Sequence, residues 1–392
     1  MRSKCNVLIY RNQLLPISET FVYNQSILLK RYSAYLLGAK LSLGQRIDLP
    51  NDRRCVVSGG GPSGRVKEAK FKLLGTVPDS VARWVRAVNP SLIHAHFGPD
   101  GAVISPLSRK LGLPLLVSFH GSDATLKDEY ARRSYLNQRL FLLRRSSLRR
   151  HVTRVLVQSE YLKRIVIERQ GFSEDKISLI RLGVEMNLFV PDVERTEWGN
   201  ILYVGRIVPR KGLDSLIEAV ARLRPRFPDV YLTVVGDGPN REEYESLARK
   251  RLSRGFEFMG AQPQDVVKRC LEKAYVFSMP SITMPSGEAE TLGLVYVEAQ
   301  AMKVPVVAFQ SGGIPEVVLN GKTGLLAHEG DIDGLAKSLS TLLDDVKLQQ
   351  QMGNAGREHV EKHFNLVIQN EKLENLYDEI VDGWHVGLED AK

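Results

Sequence analysis

The sequence predicts an α/β fold built from two doubly wound, parallel-sheet domains. Three observations carry this prediction. Short apolar runs alternate with helix-length segments along nearly the whole chain. The alternation restarts after a polar stretch, residues 191–200. The length of 392 residues, 43% of them apolar and 25% charged, suits a soluble protein with two cores.

The predicted strands are residues 6–10, 92–94, 115–119 and 155–158 in the first half, and 201–204, 231–235, 276–279 and 304–308 in the second. Each is a run of four or so apolar residues flanked by turn formers, the pattern of strands buried on both faces. Residues 213–223 are a predicted helix, because Leu213, Leu216, Ile217, Val220 and Leu223 fall on one face at helical spacing. Residues 126–151 also read as helical, with Tyr135, Leu136, Leu140, Leu143 and Leu148 as an apolar stripe beside seven arginines between Arg132 and Arg150. A last helix is expected over about 366–380, with a frayed tail from 386. The predicted domains are therefore 1–190 and 191–365, followed by a C-terminal segment, 366–392.

Composition bounds the function. No run of 18 apolar residues occurs, so no spanning helix is expected. The apolar segment 5–10 is too short for a signal-peptide core, and a cytosolic location is expected. Cys5, Cys55 and Cys270 are scattered and odd in number, which argues against a disulfide framework. Charge is uneven. Residues 1–190 hold 31 Lys+Arg against 14 Asp+Glu, and residues 191–392 hold 23 against 31. A basic half points to an anionic partner: nucleic acid, a phospholipid surface or a phosphorylated substrate.

In such folds ligands bind at the carboxyl ends of strands, so the strand-to-helix loops carry the candidates. The segment Gly205-Arg206 through Lys211-Gly212 joins a strand to a helix. Glycine lets backbone approach a ligand, and a helix start offers N–H groups to an anion. Arg206 adds a planar fork suited to a diphosphate, and Lys211 a second cation. A solvated basic loop is the plain alternative. Next come Glu290 and Glu298, eight apart, with Gly293-Leu294 between them at a helix start. Glu298 lies among apolar neighbours, where an idle acid is costly to bury. It would accept hydrogen bonds from a ribose diol, and Glu290 from another sugar.

His120, in Phe119-His120-Gly121-Ser122-Asp123, ends a strand, and Glu316 opens a helix after Ser311-Gly312-Gly313. Two patterns compete. Gly59–Gly64 satisfies GxGxxG with Asp79 downstream, the seed of a dinucleotide-oxidoreductase reading, but that acid falls at a helix start instead of a strand end. His94 and His96 alternate on a strand as metal ligands do, yet no carboxylate cluster accompanies them, and no metal is assigned.

Taken together, these motifs resemble the retaining family-4, or group 1, glycosyltransferases of GT-B fold, in their bacterial surface-polysaccharide branch. The resemblance is densest from Gly205 to Glu316. It rests on the Glu290/Glu298 pair, Gly205-Arg206 with Lys211-Gly212, Gly236-Asp237-Gly238-Pro239 and Gly312-Gly313-Ile314-Pro315-Glu316. In the first half it rests on Ser18-Glu19-Thr20-Phe21, His94-Ala95-His96-Phe97-Gly98 and the His120 segment. One departure is Leu15-Pro16-Ile17-Ser18-Glu19, where many relatives have a glycine-rich loop.

The resemblance implies two Rossmann-like domains facing across a cleft, with the last helix crossing back to the first. It implies metal-independent transfer of a sugar, with retention, from a nucleotide-sugar donor and with no further cofactor. The acceptor would be a saccharide or a lipid-diphosphate-linked saccharide. Arg206 and Lys211 would bind the diphosphate, Gly205, Gly293 and Leu294 would bring backbone to it, Glu290 would hold the donor sugar and Glu298 the ribose. The base would lie near residues 258–261. His120 would face the reacting sugar, and Ser18, Glu19, His96 and Asp123 would lie on the acceptor side. An anionic membrane surface reached through Arg132–Arg150 is a further expected partner, and nucleic acid is not. A GT-B-like sugar-nucleotide epimerase and a nucleic-acid-binding protein are the alternatives; the second lacks any RNP-type or helix-turn-helix signature.

Overall fold

The chain divides into two units, one holding residues up to Arg181 and from Val367 onward, the other Leu182–Leu366. The structure is a computed structural model and describes residues 4–14, 20–41, 50–59 and 62–389. Ser18 and Glu19, and part of the Gly59–Gly64 run, lie outside them.

The first unit runs β1 (Cys5–Leu14), α1 (Thr20–Ile27), β2 (Tyr32–Leu41), β3 (Arg54–Val56), α2 (Pro62–Leu74), α3 (Asp79–Val88), β4 (Leu92–His96) and α4 (Gly98–Leu111). It continues with β5 (Leu115–Ser118), the short α5 (Ser122–Thr125) and α6 (Asp128–Ala131), α7 (Leu136–His151), β6 (Arg154–Val157), α8 (Glu160–Glu168) and β7 (Ile177–Leu179). Its seven strands pair in parallel in the order β3-β2-β1-β4-β5-β6-β7.

The second unit runs β8 (Asn200–Val204), α9 (Leu213–Leu223), β9 (Tyr231–Val235), α10 (Arg241–Leu252), β10 (Phe256–Gly260), α11 (Gln264–Lys273) and β11 (Val276–Ser278). Then come α12 (Leu294–Ala301), β12 (Val306–Phe309), α13 (Ile314–Val317), β13 (Gly324–Ala327), α14 (Ile332–Asp344) and α15 (Val346–His363), before α16 (Leu366–Glu389). Its parallel sheet has the order β10-β9-β8-β11-β12-β13. In both sheets the order reverses beside the first strand. The crevices where ligands bind in doubly wound sheets therefore fall between β1 and β4, and between β8 and β11.

Strand alternation sorts the first core. Leu8, Tyr10, Ile93, Val117 and Val155 face one cluster, and Val7, Ile9, Leu92, Leu116 and Leu156 the other. The second cluster is completed by Leu373, Leu376, Tyr377 and Ile380 of α16. The last helix thus belongs to the first unit, as the sequence led us to expect. Buried Glu374 secures it by accepting from the backbone N–H of Arg31 at 2.6 Å and of Tyr32 at 3.2 Å.

Three expectations need correcting. The first unit gives way to the second after Arg181, earlier than residue 190, because Val184 exchanges backbone hydrogen bonds with Phe364 and Leu366. The final helix continues to Glu389 instead of fraying from 386. Residues 126–151 form α6 and α7 with a break between them, and the five-residue stripe is split. Leu140 and Leu148 face the core while Leu143 is 80% exposed. Several of its arginines are engaged: Arg145 with Asp128 and Gln170, Arg144 with the carbonyls of Leu73 and Ala102.

Candidate functional site

In the second unit the loops after β8, β9, β11 and β12 meet through glycines. Gly212 has φ +67°, and a Cβ there would lie 1.9 Å from the Pro280 carbonyl oxygen. At Gly236 a Cβ would lie 1.9 Å from the Gly205 oxygen. No side chain fits at either position, so backbone abuts backbone and the loops form one surface.

Glu290 sits at its centre, 9% exposed. Lys211 donates to its Oε2, and Arg210 approaches the same oxygen at 3.5 Å. Burial pushes Glu290 up, but Lys211 and Arg210 outweigh it and hold the carboxyl below the usual range. Burial also lowers the Lys211 ammonium, against the pull of Glu290. The structure thus brings Lys211 and Glu290 together, 79 residues apart in sequence.

Gly293 takes φ +79° and is the N-cap of α12, which no side chain caps. The first amides of α12 are free to face an anion. Glu298 lies one turn further in. Its carboxyl makes no hydrogen bond or ion pair among the described residues, and burial raises its pKa to about 7. Arg206 is exposed and its guanidinium has no partner among the described residues. Beneath the loop after β11, buried Tyr296 donates to the Met279 carbonyl at 2.6 Å.

In the first unit the crevice beside β4 holds three stacked imidazoles. His94 and His96 have ring centroids 4.3 Å apart, and His96 and His120 5.2 Å. Nδ1 of His96 and Nε2 of His120 are 3.0 Å apart, so one ring donates to the other. Nδ1 of His94 meets the Tyr377 hydroxyl at 2.6 Å, and Nε2 meets the Ser118 hydroxyl at 2.7 Å. Burial lowers His94 and His120 to about 3, and burial with its two neighbours and Arg11 lowers His96. All three rings are neutral at pH 7, which equips them for hydrogen bonding and not for carrying charge. The suggestion of a metal on His94 and His96 is not supported: His94 has both nitrogens engaged, and no group of three or more metal-ligating side chains converges among the described residues.

Asp123, placed on the acceptor side from sequence, is 2% exposed. It accepts from the amides of Gly98 (3.0 Å), His120 (3.1 Å) and Gly121 (2.7 Å). Its carboxylate is occupied in fixing the turn that carries His120. His96, also expected there, is buried between two other rings.

Residues missed from sequence complete this crevice. Arg11 pairs with Asp100 at 2.6 Å and lies over the Phe97 ring at 4.0 Å. Phe97 has φ +76°, a strained conformation for a non-glycine residue, and its N–H donates to the Ser118 carbonyl at 2.6 Å. Phe21 packs on His120, centroids 4.8 Å apart. Phe21 and Phe97 stood inside motifs quoted from the sequence, whereas Arg11 carried no sequence signal. In the second unit Arg210 was missed although it adjoins Lys211.

These two crevices, on two Rossmann-like sheets, define a protein of the GT-B class. Comparison with known proteins carries this further. The profile of "Glycosyl transferases group 1" matches residues 193–359, and that of "Glycosyltransferase Family 4" residues 43–188. WcaL of Escherichia coli K12, a glycosyltransferase assigned to colanic acid biosynthesis, is 30% identical over 79% of this chain and 75% of its own. The chain belongs to the group 1 glycosyltransferase family.

A GDP-mannose-dependent monoacylated alpha-(1-6)-phosphatidylinositol monomannoside mannosyltransferase of Corynebacterium glutamicum is 42% identical over 44% of this chain and 45% of its own. A related mannosyltransferase of Mycolicibacterium smegmatis is 39% identical over 45% and 49%. The chain spans about half the length of these two relatives. Among solved structures, a sucrose-phosphate synthase from Thermosynechococcus elongatus superposes with TM-score 0.77 at 21% identity, covering 97% of this chain and all of the other. Anabaena HepE in complex with UDP-glucose superposes at 0.73 with 19% identity, covering 95% and 99%. At these identities the likeness is one of fold.

Proposed function

We propose that the protein transfers a sugar, with retention and without a metal, from a nucleoside diphosphate donor to a saccharide acceptor carried on a lipid diphosphate. The observation that carries this reading is the buried Glu290–Lys211 pair beside an uncapped helix start and the unpartnered Glu298. Charge grows on the departing diphosphate in the transition state. Lys211 and the first amides of α12 are fixed donors, and Arg206 an unpaired cation, on which that charge can settle, usually the largest contribution to rate. Glu298 receives the ribose hydroxyls. Glu290 receives donor-sugar hydroxyls while sharing Lys211 with the diphosphate. Neutral His120, held by His96 and by the turn that Asp123 fixes, hydrogen-bonds the reacting sugar.

The relatives named as GDP-mannose-dependent favour GDP-mannose as the first donor to try. A thermal-shift panel of GDP-mannose, UDP-glucose and ADP-glucose tests the reading. A donor at about 100 times its Kd stabilises the fold by about 2.7 kcal/mol. Stabilisation by none of them, with no transfer to a lipid-linked saccharide, would overturn it.

A further inference from the structure

The surface of the first unit where α2, α4 and α7 meet is apolar and basic at once. Helix α2 has two apolar sides. One buries Phe71 against Tyr10, ring centroids 5.9 Å apart. The other leaves Val66 55%, Leu73 48% and Leu74 73% exposed. These residues and Ala69 line a shallow groove edged by Arg65 and Lys70. From α7, Leu143 projects at 80% exposure. Burial of such side chains in hydrocarbon is favourable, and solvation of all of them in a free monomer is not explained by packing.

Beside this groove lies a pocket of about 250 Å³, lined by Leu73 and Leu74, by Pro106 and Arg109 of α4, and by Arg144 and Leu148 of α7. No acid is among its lining residues. Arg144 lines the pocket and is anchored there by donating to the Leu73 carbonyl at 2.7 Å and the Ala102 carbonyl at 3.4 Å. Arg109 lines the same pocket, and burial together with this neighbouring cation lowers Arg144. Arg65, Lys70 and Arg109 make no ion pair among the described residues, while Glu68 is taken up by Lys72. Two guanidiniums in an acid-free pocket fit a phosphodiester, and leucines on its rim fit acyl chains.

We propose that this face docks on an anionic phospholipid bilayer, a headgroup phosphate entering the Arg109–Arg144 pocket and Val66, Leu74 and Leu143 entering the acyl boundary. Charge complementarity selects an anionic bilayer over a neutral one, and protruding leucines select a bilayer over nucleic acid. The proposal relocates the membrane contact from the arginine stripe of α7 to the α2–α4–α7 junction. It stands independently of the donor chemistry of the second unit.

The test is sedimentation of the full chain with vesicles of phosphatidylcholine alone or with 30% phosphatidylglycerol. Binding is expected only to the anionic vesicles. The Val66→Ser/Leu74→Ser double variant should weaken it at least tenfold and Arg109→Ser about fivefold, each with an unchanged thermal unfolding midpoint. Inorganic phosphate at 10 mM should leave binding nearly intact at matched ionic strength. Donor-nucleotide binding, measured in parallel, should be unaltered, which separates failure here from failure of the transfer reading. Equal binding to both vesicles, binding to neither, full retention of binding in both variants, or loss to phosphate alone would each overturn the proposal.

Discussion

Glu298 is the residue whose chemistry is most exposed to test, because its carboxyl is partly buried with no partner among the described residues. Burial raises it from 4.5 to about 7. A carboxyl whose pKa is higher in the folded chain favours folding while protonated in both states. That contribution is complete below pH 4.5 and is lost as pH rises through about 7. Each pH unit between the two values is about 1.4 kcal/mol, so the full loss is about 3 kcal/mol. Glu298→Gln keeps the shape and removes the titration. Between pH 5 and pH 8 the variant should therefore gain about 2.5 kcal/mol of unfolding free energy relative to wild type. Urea melts at pH 5, 6, 7 and 8, read by circular dichroism, measure this directly. The same geometry predicts that a nucleoside diphosphate, whose ribose donates to the ionised carboxylate, releases a proton on binding near pH 6.5. Calorimetry in two buffers of different ionisation enthalpy reads that release. Melts that stay parallel within about 0.5 kcal/mol, with binding heats independent of buffer, would refute the burial argument and the ribose assignment together.

Arg206→Ala should leave stability within about 0.5 kcal/mol, since the side chain is exposed and unpartnered, yet lower kcat about 10²-fold; steady-state kinetics with unchanged turnover would remove Arg206 from the diphosphate. Lys211→Met leaves Glu290 buried beside Arg210 alone and should cost about 3–5 kcal/mol, most of it recovered on adding Glu290→Gln; additive losses in chemical denaturation would contradict the pairing. Gly212→Ala must adopt φ +67° with its Cβ against the Pro280 carbonyl, whereas Gly330→Ala, at φ +83°, meets nothing within 4 Å. The second should cost about 1–2 kcal/mol, the strain of the left-handed conformation, and the first distinctly more, with loss of donor binding; equal shifts in unfolding midpoint would show that the loops are not in contact.

What the sequence determined by itself is the part of the structure that depends on local patterning. The buried parallel strands β1, β4, β5, β6, β8, β9, β11 and β12 are legible because both of their faces are covered, so their residues are almost uniformly apolar. The helix 213–223 is legible because one face alone is buried. Arg206, Lys211, Glu290, Gly293 and Glu298 are legible because their chemistry is tied to short spacings around a strand end and a helix start. β2, β3, β7, β10 and β13 were not predicted: their partly exposed or glycine-containing runs, such as Gly38 and Lys40 in β2, break the apolar pattern.

Only the tertiary structure decided which charges meet. Lys211 and Glu290 lie on different loops, and the glycine contacts that press those loops together have no local signature. The same holds for His94, whose partners Ser118 and Tyr377 come from β5 and α16, and for Asp123, which looks like a free acid until three backbone amides close on it. The leucines of α7 make the point most simply. Helical spacing puts Leu140, Leu143 and Leu148 on one candidate stripe, but packing against α4 buries two and leaves Leu143 outside. Periodicity follows from the geometry of one helix, whereas burial is set by what the rest of the chain places against it.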